Sequence, residues 1–291
     1  MPWNAEANRM PTDATTYNFV TAVYSSKVIN HVRSNLVAVA TCNTTWREQL
    51  AKGYVVYIPV MRTQTAVDVD PHVSFLGVAD ARGFGTTNAS IEVAYWKENP
   101  VLIDDSTALQ TNVPDLLNIA ADNASYGLLE AIDTTVNGLY NTTTATWRGS
   151  DGQTFDDDLL ISLMEGLDEA NVPRAGRSLI GDPSMVADIY KIDKFMSYDY
   201  NQTTFTTDAF RGKINAYNLP VFVSNNLEAT TTGNYGILMH PDCIGVVIQS
   251  APKVESFRVP EQHSDCINIS AFYGCAVVRS TFGAYFYTRK S

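Results

Sequence analysis

Histidine, cysteine and strong charge are all scarce in this 291-residue chain, with four histidines, four cysteines and charged residues at 18%. Cys42, Cys243, Cys266 and Cys275 show no C-x-x-C pairing, so their spacing gives no zinc site and they read as buried free thiols. No apolar run is long enough to span a bilayer. The opening residues, Met1-Pro-Trp-Asn-Ala-Glu6, lack the basic and apolar regions of a secretory signal, so synthesis in a cytoplasm is expected and disulfides are not. Asn-x-Ser/Thr sequons at Asn43, Asn88, Asn123, Asn141, Asn201 and Asn268 then read as composition, not as glycosylation sites.

Basic clusters are missing too. The net charge is −11, with Arg174 and Arg177 flanking a turn and Lys191 and Lys194 in acidic surroundings. A protein that grips phosphate gathers Lys and Arg, because counterion release supplies much of its affinity. The acidic balance argues against a protein whose work is to grip nucleic acid, and it also suits simple solubility.

The search for catalytic constellations ends without a candidate. Asp156, Asp157 and Asp158 could form a divalent-metal cluster, but they stand directly before Leu160, Leu163, Met164 and Leu167, where acids cap a helix. Asp68, Asp70 and His72 share an Asp-Pro turn. Gly83-Phe-Gly85 has the glycine content of a phosphate-binding loop without its strand-to-helix context or a following Gly-Lys-Ser/Thr. His240 before Pro241-Asp242, and His263 between Glu261 and Asp265, have no nucleophile or metal-binding partner in pattern. No catalytic, cofactor-binding or metal-ligating residue is assigned, and no cofactor is expected.

What is present is ordered structure. At 45% hydrophobic residues the chain can bury a large core, in one large or two modest domains. Phe19 to Leu36 carries apolar residues at helical spacing, and Tyr54 to Val60 alternates as a strand after Gly53. Ser90 to Trp96 is a second strand able to pair with it as an antiparallel ribbon. From Pro114 to Tyr140, Leu117, Ala121, Ala124, Leu128, Ile132 and Leu139 predict an amphipathic helix of about seven turns. Arg177 to Ile180 reads as a strand, Asp182 as an N-cap and Pro183 as the first residue of a helix reaching Lys191. Val221 to Val223, with Arg177 to Ile180 as its expected partner, and Ile267 to Val278 and Phe282 to Thr288 complete the strands. Trp3, Trp46, Trp96 and Trp147 all fall in loops or at element edges, which suits a protein that makes many contacts.

Two segments carry a resemblance: Val172-Pro-Arg-Ala-Gly-Arg177 leading into a strand that ends at Asp182-Pro183, and Gly212-x-Ile214 followed by Leu219-Pro-Val-Phe-Val-Ser-Asn-Asn-Leu227. In this order, with Gly53 before Ile58-Pro59 and with Tyr273-Gly274, they resemble the major capsid proteins of tailed bacteriophages, the Hong Kong 97 type. One position departs: Asn218 stands where such chains usually carry Gly, and Asn is the next most tolerant of a left-handed backbone.

The resemblance implies an α+β fold with an N-terminal arm and helix at 1–50 and an extended β-hairpin loop at 51–97. A peripheral domain with a spine helix and returning strands would occupy 98–151 and 256–291, and an axial domain 152–255. It implies no enzyme but a structural virion protein, made in a bacterial host cytoplasm. Copies would self-assemble into pentamers and hexamers of an icosahedral shell around double-stranded DNA. A portal, a separate scaffolding protein and decoration proteins are the further partners implied, and no membrane. Lys52 and Lys97 bracket the extended loop without naming a crosslink partner. A nanocompartment shell, another virion component and a soluble hydrolase built on Asp70, His72 or Asp156 to Asp158 are the alternatives.

Overall fold

The computed structural model describes residues 36–46, 53–61, 86–110, 116–143, 145–196, 206–208, 211–214 and 217–290. The helix expected over Phe19 to Leu36, the Gly83-Phe-Gly85 tip and the Asp68 to His72 turn lie outside these residues, Leu36 excepted.

Three sheets organise the chain. Strands β1 (Val55–Met61) and β2 (Thr86–Glu92) form an antiparallel ribbon, with Tyr57 opposite Ser90 and Met61 opposite Thr86. The expected second strand, Ser90 to Trp96, is divided. Its first half belongs to the ribbon, whereas Tyr95 and Trp96 open β3 (Tyr95–Asp104) in another sheet. A two-stranded ribbon has no sheet to lie on beyond its base, so the chain changes partners where a wider sheet begins.

That sheet has the order β10-β11-β3 and is antiparallel throughout, with β10 spanning Ile244–Val259 and β11 spanning Ser264–Val277. Short helix α2 (Asp105–Gln110) follows β3, and the long helix α3 covers Leu116–Asn137. At 22 residues α3 is about 33 Å long, six turns instead of seven. Ala124 and Leu128 press on Ile267, Ile269 and Ala271 of β11, while Leu117 is half exposed and Leu139 falls beyond the helix end.

The third sheet has seven strands in the order β4-β12-β9-β5-β8-β7-β6. These are β4 (Ala145–Arg148), β5 (Ser178–Gly181), β6 (Thr206–Asp208), β7 (Arg211–Ile214), β8 (Leu219–Val223), β9 (Gly233–Met239) and β12 (Gly283–Arg289). As the sequence suggested, β5 and β8 are partners; they run parallel, with Leu179 opposite Val221. One face carries Leu179, Val221, Leu238 and Phe286 and is covered by α4 (Asp157–Glu169) and α5 (Pro183–Ile189). The other face carries Ile180, Ile237 and Met239, and meets Val136 and Tyr140 at the end of α3 together with α1 (Ala38–Thr41).

The caps behave as predicted. Asp156 accepts from Leu159 N at 2.8 Å and Asp182 from Met185 N at 3.0 Å, with Pro183 in the first turn of α5; that helix ends at Ile189, two residues short of Lys191. The small helix α6 (Asp193–Met196) follows.

Candidate assembly surfaces

The ribbon is anchored at its base. At its base Val56, Ile91 and Val93 pack with Val247, and Trp46, Ile58 and Phe272 close around them. Val93 N donates to Tyr54 O at 2.8 Å, and Gln249 Nε2 to Gly53 O at 2.9 Å. Glycine at 274 is required by this crossing: a Cβ there would lie 2.1 Å from the Glu92 carbonyl oxygen. Along β1 the side chains that point away from the base are apolar, Tyr57 at 67% exposure and Met61 at 69%, with Tyr54 at 69% beside them. Exposed apolar side chains on a projecting strand pair are a surface built for contact.

A second surface lies on the three-stranded sheet, on the face away from α3. Cross-strand neighbours Leu102, Cys266 and Phe257 form one row, in which Leu102 and Phe257 are half exposed and bury the thiol between them. Trp96 is 69% exposed, and its ring leans on Phe272 at 5.3 Å between centroids. The aromatic pair lies beside the ribbon base, separated from the Leu102 row by Glu98, Asn268 and Glu255. Of the other tryptophans, Trp46 belongs to that base, while Trp3 and the Trp147 side chain lie outside the described residues.

The two sequence segments that carried the resemblance meet in the seven-stranded sheet, and the geometry explains their spacing. Arg177 folds back over the turn that precedes β5, its guanidinium donating to Val172 O at 2.7 Å, Pro173 O at 3.1 Å and Asp168 Oδ1 at 2.6 Å. Gly176 makes the turn with φ of +85°. At 5% exposure Arg177 thus satisfies two loop carbonyls from the inside. Arg174, on the surface, shares Asp168. These two guanidinium groups hold the Asp168 carboxyl below the ordinary carboxylate range. Beyond the sheet, Asn218 adopts φ of +52°, the left-handed turn expected of it, and Ser224 N donates to Gly181 O at 3.0 Å to fix the exit of β8. A groove of about 940 Å³ runs along this region between Ile161, Met164, Arg174 and Tyr217.

The remaining sequence candidates serve the fold. Asp157 accepts from Lys194 and from Tyr217 Oη, so the acidic run is spent on a cap and on tying α4 to its neighbours. His240 Nδ1 accepts from Asp242 N at 3.3 Å at the start of a short turn, and His263 turns the β10–β11 hairpin with φ of +48°. Lys97 Nζ donates to Thr135 Oγ1 on α3. Asp70, His72 and Lys52 lie outside the described residues, among which no three His, Cys, Asp or Glu side chains gather as metal ligands. Among the same residues no helix is long and apolar enough to cross a membrane. Burial pushes the thiols of Cys243 and Cys275 up to about 12 and about 11, so they stay protonated and unreactive at neutral pH.

Sequence reasoning missed the most connected ion pair. Asp188, 1% exposed, accepts from Arg289 at the end of β12, from Lys191 and from Phe155 N. Lys191 is a local partner three residues on, but Arg289 is 101 residues away and Phe155 is 33, and no local pattern brings those together.

Comparison with solved structures accounts for the whole arrangement. A structure from Mycobacterium phage Che8 superposes with a TM-score of 0.75 at 22% identity, covering 92% of this chain and 97% of that one. The capsid structure of the cyanophage P-SCSP1u gives 0.71 at 14% identity over 98% and 100% of the two chains. The mature capsid of bacteriophage PhiM1 gives 0.71 at 10% identity over 99% of each. No protein-family model and no curated protein matches the sequence. The fold is therefore that of tailed-phage capsid subunits, the Hong Kong 97 type to which the sequence motifs pointed.

Proposed function

We propose that this chain is the major capsid protein of a tailed bacteriophage, a structural subunit that assembles with its own copies into pentamers and hexamers of an icosahedral shell. The observation that carries the reading is the agreement of fold along nearly the full length of both chains. The apolar surfaces described above support it. Tyr54, Tyr57 and Met61 have no use in an isolated subunit, and a neighbouring copy is the partner that would bury them.

In this reading 1–50 is the arm, 51–97 the extended loop, 98–151 and 256–291 the peripheral domain, and 152–255 the axial domain. Strands β4 and β12, at the ends of the peripheral segments, are where that domain is joined into the axial sheet. Double-stranded DNA fills the shell without tight binding, in keeping with the net charge of −11. A portal, a separate scaffold and decoration proteins are the further partners of such a shell, the virion is its location, and the bacterial cytoplasm is where it is made.

The ribbon provides the test. Burying a tyrosine of this exposure stabilises a contact by about 1.5–3 kcal/mol, so Tyr57→Asp should raise the subunit concentration needed for assembly by about 10- to 100-fold. Sedimentation velocity should show the variant as folded small oligomers under conditions where the parent forms shells. Unchanged assembly of Tyr57→Asp and of Met61→Asp would remove the ribbon from the interface, and a catalytic activity in the purified subunit would remove the reading itself.

A further inference from the structure

A polar stripe runs along one face of α3 and its continuation, inside the core. Asp133, Asn137 and Tyr140 follow at intervals of four and three residues, each with 0% exposure, and they face α1 and the seven-stranded sheet. Asp133 Oδ1 accepts from Ala38 N at 2.8 Å, while Oδ2 accepts from Asn137 Nδ2 at 3.3 Å and from Asn226 Nδ2 at 3.4 Å. Asn137 Nδ2 also donates to Asn226 O at 2.9 Å. Three separate pieces of chain thus meet on one carboxyl group: the leading segment, the long helix and the loop that leaves β8.

We infer that Asp133 is a latch on segment 37–41, one whose hold is tightest when its carboxyl carries a proton. The seam is poorly satisfied as it stands. Asn137 Oδ1 and Tyr140 Oη are buried without a hydrogen-bond partner among the described residues, a cost of about 1–3 kcal/mol for such a group. No salt bridge among the described residues reaches Asp133. Among the described residues, the titratable groups coupled to it are Cys42 from the α1 side and Tyr140 from the end of the helix, both raised by burial and therefore neutral. A buried carboxylate met only by neutral donors is costly to leave charged.

Burial pushes the Asp133 carboxyl above its ordinary range, against the pull of bonds from Ala38, Asn226, Asn137 and Val39. Lifting segment 37–41 would hydrate the group and return it toward the ordinary value. The closed seam is then the state that binds the proton more tightly. Closure is favoured in acid and weakens as pH rises from the ordinary carboxylate range through the raised value, by up to about tenfold for each pH unit crossed. Segment 37–41 lies within the proposed arm, 1–50, and packs on the core, so the latch governs how firmly that part of the arm is held. The inference stands on the seam alone and holds whether or not the subunit builds shells.

Hydrogen exchange of the full-length protein, corrected for intrinsic rates and compared at about pH 4 and about pH 8, tests it. In the parent, protection of the amides of Ala38 and Val39 should be measurably higher at the lower pH. In Asp133→Asn the difference between the two pH values should disappear. Protection that is flat or rises with pH in the parent overturns the inference, as does a parent-like pH profile in Asp133→Asn. Should that variant fail to fold, the parent profile decides, and Asn226→Ala, which removes one donor to the charged form, should lower protection at pH 8 more than at pH 4. An equal loss at both pH values would count against the latch.

Discussion

Asn218 shows what a single backbone angle asks of a residue. At φ of +52° it holds the turn into β8, a position that glycine fills without strain and asparagine at small cost. Asn218→Gly should leave stability within about 0.5 kcal/mol of the parent, while Asn218→Val should lower it by about 1–3 kcal/mol. Urea denaturation of the isolated subunit measures both. Asp188 makes the matching electrostatic case. Burial alone would raise its carboxyl, but the bonds from Arg289, Lys191 and Phe155 N outweigh it and hold the group below the ordinary range. A carboxyl depressed in the folded state stabilises above its unfolded value, and that contribution is lost as pH falls through the folded one. Asp188→Asn should therefore cost about 3 kcal/mol at pH 7, and the gap to the parent should narrow in urea melts at about pH 3.

At the scale of elements, the crossing at Gly274 decides whether the ribbon sits where it does. With the Glu92 carbonyl 2.1 Å from any added Cβ, Gly274→Ala must shift the strand or the ribbon base. Loss of about 1–3 kcal/mol is expected, together with faster exchange of the Val93 amide, and a neutral result would mean that the crossing yields freely. Elements whose signals are local were legible in the sequence. The caps at Asp156 and Asp182, the β5 and β8 partners and the long helix needed only periodicity and turn chemistry. Strand β10 was not legible, because Pro252 and a run of polar residues interrupt it. The structure places that proline at an irregularity between Ser250 and Lys253, on an edge strand where a missing N–H is harmless. The division of Ser90 to Trp96 was hidden for a different reason. The choice between ribbon and sheet depends on β11, which lies some 170 residues further along. The assembly surfaces were half visible: aromatic abundance could be counted, but that Tyr57 and Met61 point outward while Val56 points inward follows only from the register.

For the whole molecule, the account rests on a subunit with more contact surface than its own core can use. Among the described residues, Asp157, Asp188 and His240 are engaged in bonds that hold the fold, while Tyr54, Tyr57 and Met61 on the ribbon and Trp96, Leu102 and Phe257 on the outer face of the three-stranded sheet stay exposed. In the proposed shell, those two surfaces, repeated on every copy, would give the multivalency that turns weak contacts into a durable cage. Electron cryomicroscopy of the expressed protein, alone and with a scaffold, tests this most directly. The account predicts closed particles with five-fold vertices in which the ribbon of each subunit lies on a neighbour, Tyr57 buried between them. A monodisperse compact monomer under all assembly conditions, with the ribbon folded against its own chain, would contradict it.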